Sequence, residues 1–287
     1  MDRLTSPGKI RNIMKKHNVR FSKSLGQNFI VNDSIIEEII SKSNITKNDC
    51  VLEIGPGIGV LTQALAENAD KVLAVELDNK LIPVLEETLS DYENVDIIHN
   101  DILKVDINEE IKNRFDKPVK VIANLPYYIT TPIIMKLLEE RIDVKEIIVM
   151  VQKEVAERMV SKSGVKAYGS LSVAVQYYSE ASIIIDVNRD NFLPPPNVDS
   201  SVIKLKIRDN PAVKVLDDEY FFEVVKGAFA LRRKTLINSL SKSKIAVNKE
   251  IVEKALIKLG LDLRIRGEKL SIEQFAKLSN ELYKARN

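Results

Sequence analysis

Cys50-Val51-Leu52-Glu53-Ile54-Gly55-Pro56-Gly57-Ile58-Gly59-Val60-Leu61-Thr62 decides the fold of this 287-residue chain. Its opening apolar run predicts a short buried strand. Glycines at alternate positions follow, and the pattern then becomes that of a helix from Val60 to about Glu67. Glycine permits a tight turn and lets backbone approach a ligand closely, with the helix N-terminus facing it. A second strand from Lys71 to Val75 ends at Glu76. An acid at that offset is placed to hydrogen-bond the hydroxyls of a ribose. Strand, glycine turn, helix, strand and acid together read as the half-site for a nucleoside cofactor; the competing reading is an ordinary βαβ turn. The expected class is α/β, built on a Rossmann-like sheet.

The spacing of the glycines narrows the cofactor. A dinucleotide site uses G-x-G-x-x-G to bring a pyrophosphate to the helix N-terminus, whereas Gly55, Gly57 and Gly59 follow G-x-G-x-G. Glu53 adds negative charge just before the loop. A carboxylate there repels pyrophosphate and suits a cation, such as the sulfonium of S-adenosylmethionine. A third strand, Val95 to Ile98, leads into His99-Asn100-Asp101. Asp101 can accept from the amino group of a cofactor adenine or can cap a turn. His99 has no partner pattern and reads as structural.

The fourth strand ends in Val121-Ile122-Ala123-Asn124-Leu125-Pro126-Tyr127-Tyr128. Asn124 offers a carboxamide oxygen as acceptor. Pro126 fixes its own φ and holds Leu125 extended, so the Leu125 carbonyl can point out of the turn. Tyr127 adds a flat π-face. Two acceptors and a stacking plate suit a planar ring bearing an exocyclic amino group. The alternative is a polar strand-to-helix turn with tyrosines packed on the core. Thr130 and Thr131 then read as caps of a helix with Pro132 in its first turn.

Further strands are expected at Glu146 to Val151, Ser182 to Val187 and Ser201 to Ile207, with helices at Lys153 to Val160 and Leu171 to Tyr177. Asn191-Phe192-Leu193-Pro194-Pro195-Pro196-Asn197-Val198-Asp199-Ser200 is a stiff proline-rich loop. Phe192 is either buried in a rigid connector or a second aromatic wall opposite Tyr127, and two such walls fit a flipped-out nucleobase. Beyond Arg208 the periods are helical. Phe221 to Leu231, Thr235 to Leu240, Lys249 to Leu259 and Ile272 to Tyr283 compose a small all-helical domain, with Asp33 and Ser271 as caps of an early and of the last helix. The expected organisation is a basic arm and cofactor-covering loop over residues 1–30, a Rossmann-like domain over 31–208, and a helical domain over 209–287.

Net charge is only +2, but it is uneven. Arg3, Lys9, Arg11, Lys15, Lys16, Arg20 and Lys23 stand against a lone acid, Asp2, in the first 25 residues. Arg232, Arg233 and Lys234 form a second basic group. Both are solvated surface or contacts to an RNA backbone. The lone cysteine, Cys50, fits a reducing compartment. No apolar run reaches membrane-span length, and the N-terminus lacks the apolar stretch of a signal peptide. A cytoplasmic monomer is expected, with no membrane partner and no metal, since no ligand cluster stands out.

Several motifs in one order carry a resemblance. Lys23-Ser24-Leu25-Gly26-Gln27-Asn28-Phe29, Glu53 to Gly59, Asn124 to Ile129, Phe192 to Ser200, Arg232 to Lys234 and Arg266-Gly267-Glu268-Lys269-Leu270-Ser271 resemble the family of ribosomal small-subunit RNA adenine dimethyltransferases. The likeness runs from about Arg20 to the C-terminus. It implies a class I S-adenosylmethionine-dependent methyltransferase domain, with dimethylation at N6 of two adjacent adenosines in a 3'-end hairpin of 16S ribosomal RNA. It implies that Asn28, Ile30, Gly55, Gly57, Glu76, Asp101 and Asn124 line the cofactor site, with Glu76 on the ribose and Asp101 on the adenine. By the same likeness Asn124, Leu125, Pro126, Tyr127 and Phe192 form the catalytic group, with Tyr127 and Phe192 bracketing the target adenine. Arg20, Lys23, Arg232, Arg233 and Lys234 would meet RNA. The family often has lysine where this chain has Asn197. Rival readings are a 23S ribosomal RNA adenine methyltransferase of the macrolide-resistance type, a non-catalytic ribosome-assembly factor and, more distantly, an NAD-linked oxidoreductase.

Overall fold

The apolar run Cys50–Ile54 is buried along its whole length, as a strand covered on both faces must be. Around it the chain folds as two compact units, residues 1–156 with 182–207 and residues 157–181 with 208–287. The structure, a computed structural model, describes residues 4–22, 25–245 and 247–286. In chain order the elements up to the second crossover are α1 (Pro7–Lys16), β1 (Phe29–Ile30), α2 (Asp33–Ser43), β2 (Cys50–Ile54), α3 (Val60–Asn68), β3 (Lys71–Glu76), α4 (Ile82–Thr88), β4 (Val95–His99), α5 (Ile107–Arg114), β5 (Val119–Asn124) and α6 (Thr130–Glu139). There follow β6 (Val144–Gln152), α7 (Lys153–Val160), α8 (Ser170–Tyr178), β7 (Ser179–Val187), β8 (Phe192–Leu193) and β9 (Ser200–Ile207).

The main sheet has seven strands in the order β4-β3-β2-β5-β6-β9-β7. Pairing is parallel from β4 through β6, and β9 runs antiparallel to β6. The chain steps from β2 to β3 on one side, and β5 later returns to the other side of β2. That reversal opens a crevice at the carboxyl ends of β2 and β5, where open α/β sheets bind their ligands. The mixed sheet with its helices is the Rossmann-like architecture expected. No described helix is long and apolar enough to cross a membrane.

Local chemistry explains several boundaries. Asn32, rather than Asp33, caps α2: its side chain accepts from Ser34 N at 3.0 Å. α6 begins at Thr130 with no side-chain cap; Thr130 instead donates through Oγ1 to the Pro126 carbonyl at 3.0 Å. The basic arm is more than a tail, since α1 buries Ile10 and Met14 in the core of the first unit. Lys16 and His17 both meet Glu87 at 2.7 Å.

The second unit also contains α9 (Asp218–Ala230), α10 (Leu236–Leu240), α11 (Lys249–Lys258) and α12 (Ile272–Arg286). Residues 157–181, which the sequence pattern assigns to the sheet domain, cluster with these helices. Aromatic packing accounts for it: Tyr177 stacks on Phe221 with centroids 5.1 Å apart and meets Phe222 edge-on at 5.2 Å. Its hydroxyl donates to Asp218 at 2.8 Å. Asp217 caps α9 through Tyr220 N, and Ser271 with Gln274 forms the expected reciprocal cap of α12.

Candidate active site

The crevice at the reversal point is lined from four strand ends and one loop. Gly55 and Gly57 follow β2, Glu76 closes β3, Asp101 follows β4, Asn124 closes β5, and Asn28 and Ile30 come from the loop and strand that precede α2. Leu125, Pro126, Tyr127 and Tyr128 complete the wall. Residues far apart in sequence thus meet because parallel strands present all their carboxyl ends on one edge.

The glycine turn works through positive φ. Gly55, Gly57 and Gly59 have φ of +69°, +63° and +91°. At Gly57 space is decisive as well, because a Cβ there would lie 2.7 Å from Phe29 Cε1. Gly57 N donates to Glu76 Oε2 at 3.1 Å, and Asp78 N donates to Oε1 at 2.8 Å. Each carboxylate oxygen keeps a lone pair for a diol. Burial raises the Glu76 pKa, and the backbone donors from Asp78 and Gly57 oppose that shift.

Glu53 is 1% exposed, lines the crevice, and its Oε2 has no hydrogen-bond partner among the described residues. Burial pushes its pKa up to about 8; Thr62 pulls it down, and the Glu76 carboxylate pushes it further up. A buried carboxyl without a partner is costly. A cationic group beside it would relieve that cost, so the donor set fits S-adenosylmethionine.

At the end of β5 Asn124 donates through Nδ2 to the Asn28 carbonyl at 3.0 Å. A carbonyl only accepts, so this bond fixes the carboxamide with Oδ1 turned away from Asn28. Leu125 N is held by the Met150 carbonyl at 3.1 Å, and no described donor bonds the Leu125 carbonyl. Tyr127 is partly buried, with its hydroxyl 2.7 Å from Ser200 Oγ. Burial raises its pKa, the Ser200 bond opposes the rise, and Asp199 adds to it.

Of the expected catalytic and cofactor residues, Phe192 alone does not line the crevice. It is 3% exposed, belongs to the apolar core, and pairs with Ile30 in the small β1–β8 sheet. In this structure Phe192 is thus a buried connector residue whose ladder partner, Ile30, lines the crevice. Tyr128, assigned no role from sequence, lines the crevice with 55% exposure; its pKa is raised by burial and by Asp101 and Glu76. Asp101 lines the crevice and also caps its turn, accepting from Leu103 N at 3.0 Å.

Sequence reasoning also gave Gln27 no role. Its Nε2 donates to Asp78 Oδ2 at 2.9 Å, and its Oε1 accepts from Ser22 N at 2.8 Å. It latches the covering loop to the turn beyond Glu76. The only sequence signal was its place inside a quoted motif. Of the expected RNA contacts, Arg20 is exposed, and Arg232, Arg233 and Lys234 are exposed at the end of α9 in the second unit, where Arg232 donates to the Lys166 carbonyl. Lys23 lies outside the described residues.

Residues 18–284 match the family described as ribosomal RNA adenine dimethylase. The chain belongs to that family. Its curated relatives include the ribosomal RNA small subunit methyltransferase A of Alkaliphilus metalliredigens, 51% identical over 98% of this chain and 99% of the relative. The protein of the same name from Clostridioides difficile is 50% identical over 98% of this chain and 97% of its own length. Among solved structures, a dimethyladenosine transferase from Plasmodium falciparum aligns with a TM-score of 0.75 at 28% identity, covering 89% of this chain and 98% of that one. The 23S rRNA methyltransferase ErmE aligns at 0.67 with 25% identity, covering 89% of this chain and all of that one. The dimethylase fold and the Rossmann-like expectation coincide.

Proposed function

We propose that this protein dimethylates N6 of two adjacent adenosines in a 3'-end hairpin of 16S ribosomal RNA, using S-adenosylmethionine, as a monomer acting on the assembling small subunit in the cytoplasm. The observation that carries the reading is the orientation of Asn124. Its amide is held by Asn28, which leaves Oδ1 free to accept, and the carbonyl of the next residue, Leu125, is also unbonded among the described residues, both residues lining the crevice. Two acceptors there match the two hydrogens of an exocyclic amino group.

S-adenosylmethionine, when bound, supplies an electrophilic methyl group on a sulfonium. The glycine turn and the Glu76 carboxylate are suited to hold its nucleoside, and the Glu53 carboxyl favours its positive charge. Asn124 Oδ1 and the Leu125 carbonyl accept from the adenine amino group. The N6 lone pair is normally delocalised into the ring; bonding both hydrogens to fixed acceptors favours the pyramidal nitrogen and aims the lone pair. As the methyl leaves sulfur, positive charge would develop on N6 beside the two carbonyl acceptors, and the N6 proton would then pass to solvent. Positioning and preorganised dipoles supply the acceleration. Tyr127 offers the plate on which the extruded base stacks; extrusion costs a few kcal/mol, and stacking returns about 1–3.

The small-subunit reading is favoured over the large-subunit one by the names and coverage of relatives near 50% identity, against 25% for the ErmE structure. Transfer of labelled methyl to separated, under-methylated ribosomal subunits tests it. Label in small-subunit RNA is the expected result; label confined to large-subunit RNA overturns it.

A further inference from the structure

A second cleft of about 450 Å³ lies beyond Tyr127, between the β6–α7 junction and the loops on either side of β8. Pockets of roughly 300–1,000 Å³ accommodate nucleotide-sized ligands. One strand pair connects the cleft to the catalytic crevice. Gln152, on its rim, pairs with Ser200 in the β6–β9 ladder, and Ser200 Oγ bonds the Tyr127 hydroxyl at 2.7 Å. Asp199, also on the rim, is the residue before Ser200.

Its frame is fixed by backbone. Lys153 N donates to the Asp199 carbonyl at 3.0 Å, Arg189 N donates to Asp199 Oδ1 at 3.1 Å, and Arg189 Nη1 reaches the Asn197 carbonyl at 3.4 Å. Within this frame the side chains of Gln152 and Asn197 make no hydrogen bond to described residues. A free carboxamide offers one donor and one acceptor face, which is the pairing that reads N6 and N7 of adenine. Acids outnumber bases in the lining, Glu154, Asp190 and Asp199 against Lys153 and Arg189, and Lys153 Nζ lies 3.4 Å from Asp186 Oδ2. That balance disfavours a phosphate backbone and leaves a base edge as the group the two carboxamides can read.

We infer that this cleft is a second nucleotide subsite, which takes the adenosine next to the one being methylated. The base edge meets Gln152 and Asn197. The proposal rests on the methyltransferase reading and deepens it: while one adenosine of the pair stacks on Tyr127, the other is held in register across the Tyr127–Ser200 bond.

The test uses the full chain and small-subunit RNA carrying the hairpin, with the neighbour of the reporting adenosine left as adenosine or replaced by 7-deazaadenosine or guanosine. In the wild type, replacement is expected to raise KM for the RNA about tenfold, with the affinity for S-adenosylmethionine unchanged. In the double variant Gln152→Ala, Asn197→Ala, the unmodified RNA should show that raised KM, and replacement should add nothing. Equal KM for all RNAs in the wild type, or an undiminished replacement penalty in the double variant, overturns the subsite while methyl transfer to unmodified RNA still stands. Absence of transfer to unmodified RNA by the wild type overturns both the subsite and the reading beneath it.

Discussion

Asn124 Nδ2 donates to the carbonyl of Asn28, 96 residues earlier in the chain, at 3.0 Å. The bond ties the loop that covers the crevice to the residue that would face the target amino group. Its consequence is a carboxamide with only one usable orientation. Asn124→Ala removes an acceptor aimed at developing charge, a loss of about 10²–10³ in kcat by analogy with other preorganised dipoles. Asn124→Asp keeps an oxygen toward the substrate but sets a carboxylate against the Asn28 carbonyl, so it too should be slow. Single-turnover methylation with saturating cofactor measures both, and near-wild-type rates for the alanine variant would remove Asn124 from the mechanism.

Tyr127 should act through its ring more than its hydroxyl. Tyr127→Phe keeps the plate and loses the Ser200 bond, so kcat/KM for RNA should change by less than about threefold while stability falls by about 1 kcal/mol. Tyr127→Ala should lower kcat/KM by about 5- to 150-fold, the equivalent of the 1–3 kcal/mol typical of base stacking. Steady-state kinetics on the pair, with melting temperatures alongside, separates ring from hydroxyl.

Glu53 makes the free protein pH-sensitive. Its pKa is 4.5 when exposed and about 8 when folded, so the folded state binds its proton more tightly. Stability from this group is fully retained below the unfolded value and falls as pH rises through that window. Above it the penalty is complete, on the order of a few kcal/mol. Glu53→Gln removes the titration. The variant should therefore gain on the wild type as pH rises from about 5 to about 8.5 in thermal unfolding scans without cofactor. Parallel curves for the two proteins would contradict the buried carboxyl. A cationic ligand should pull the pKa down, so calorimetric titration near neutral pH should register proton release by the wild type and less by the variant.

Gly57 combines a positive φ with the close approach of Phe29. Gly57→Ala should cost about 1–2 kcal/mol for the left-handed backbone alone, plus the displacement of Phe29. Because Phe29 pairs with Leu193 in β1–β8, the covering loop moves with it, and affinity for S-adenosylmethionine should fall more than tenfold. Unchanged affinity would mean that the loop is not part of the site.

The parts of the fold that local chemistry determines were legible in the sequence. The strand-glycine-helix-acid pattern from Cys50 to Glu76 placed the crevice, and Asn124 to Tyr127 placed a further part of its wall, because each motif lies within one turn of a strand end. What was not legible depends on distant pairing. The burial of Phe192 follows from its ladder with Ile30, which no local period reveals. The capture of residues 157–181 by the helical unit follows from Tyr177 stacking on Phe221, and the Gln27 latch follows from a bond to Asp78 across 51 positions. The cap of α2 was misplaced by one residue because Asn32 and Asp33 are equally good capping types and only geometry chooses between them.

The central claim is that the crevice methylates adenine N6 in small-subunit RNA. Nucleoside mass spectrometry of under-methylated small subunits after incubation with the protein and S-adenosylmethionine tests it most directly. The account predicts N6,N6-dimethyladenosine at both adenosines of one hairpin with wild type and almost none with Asn124→Ala. Subunits that bind the protein normally and emerge with no methylated adenosine would contradict it.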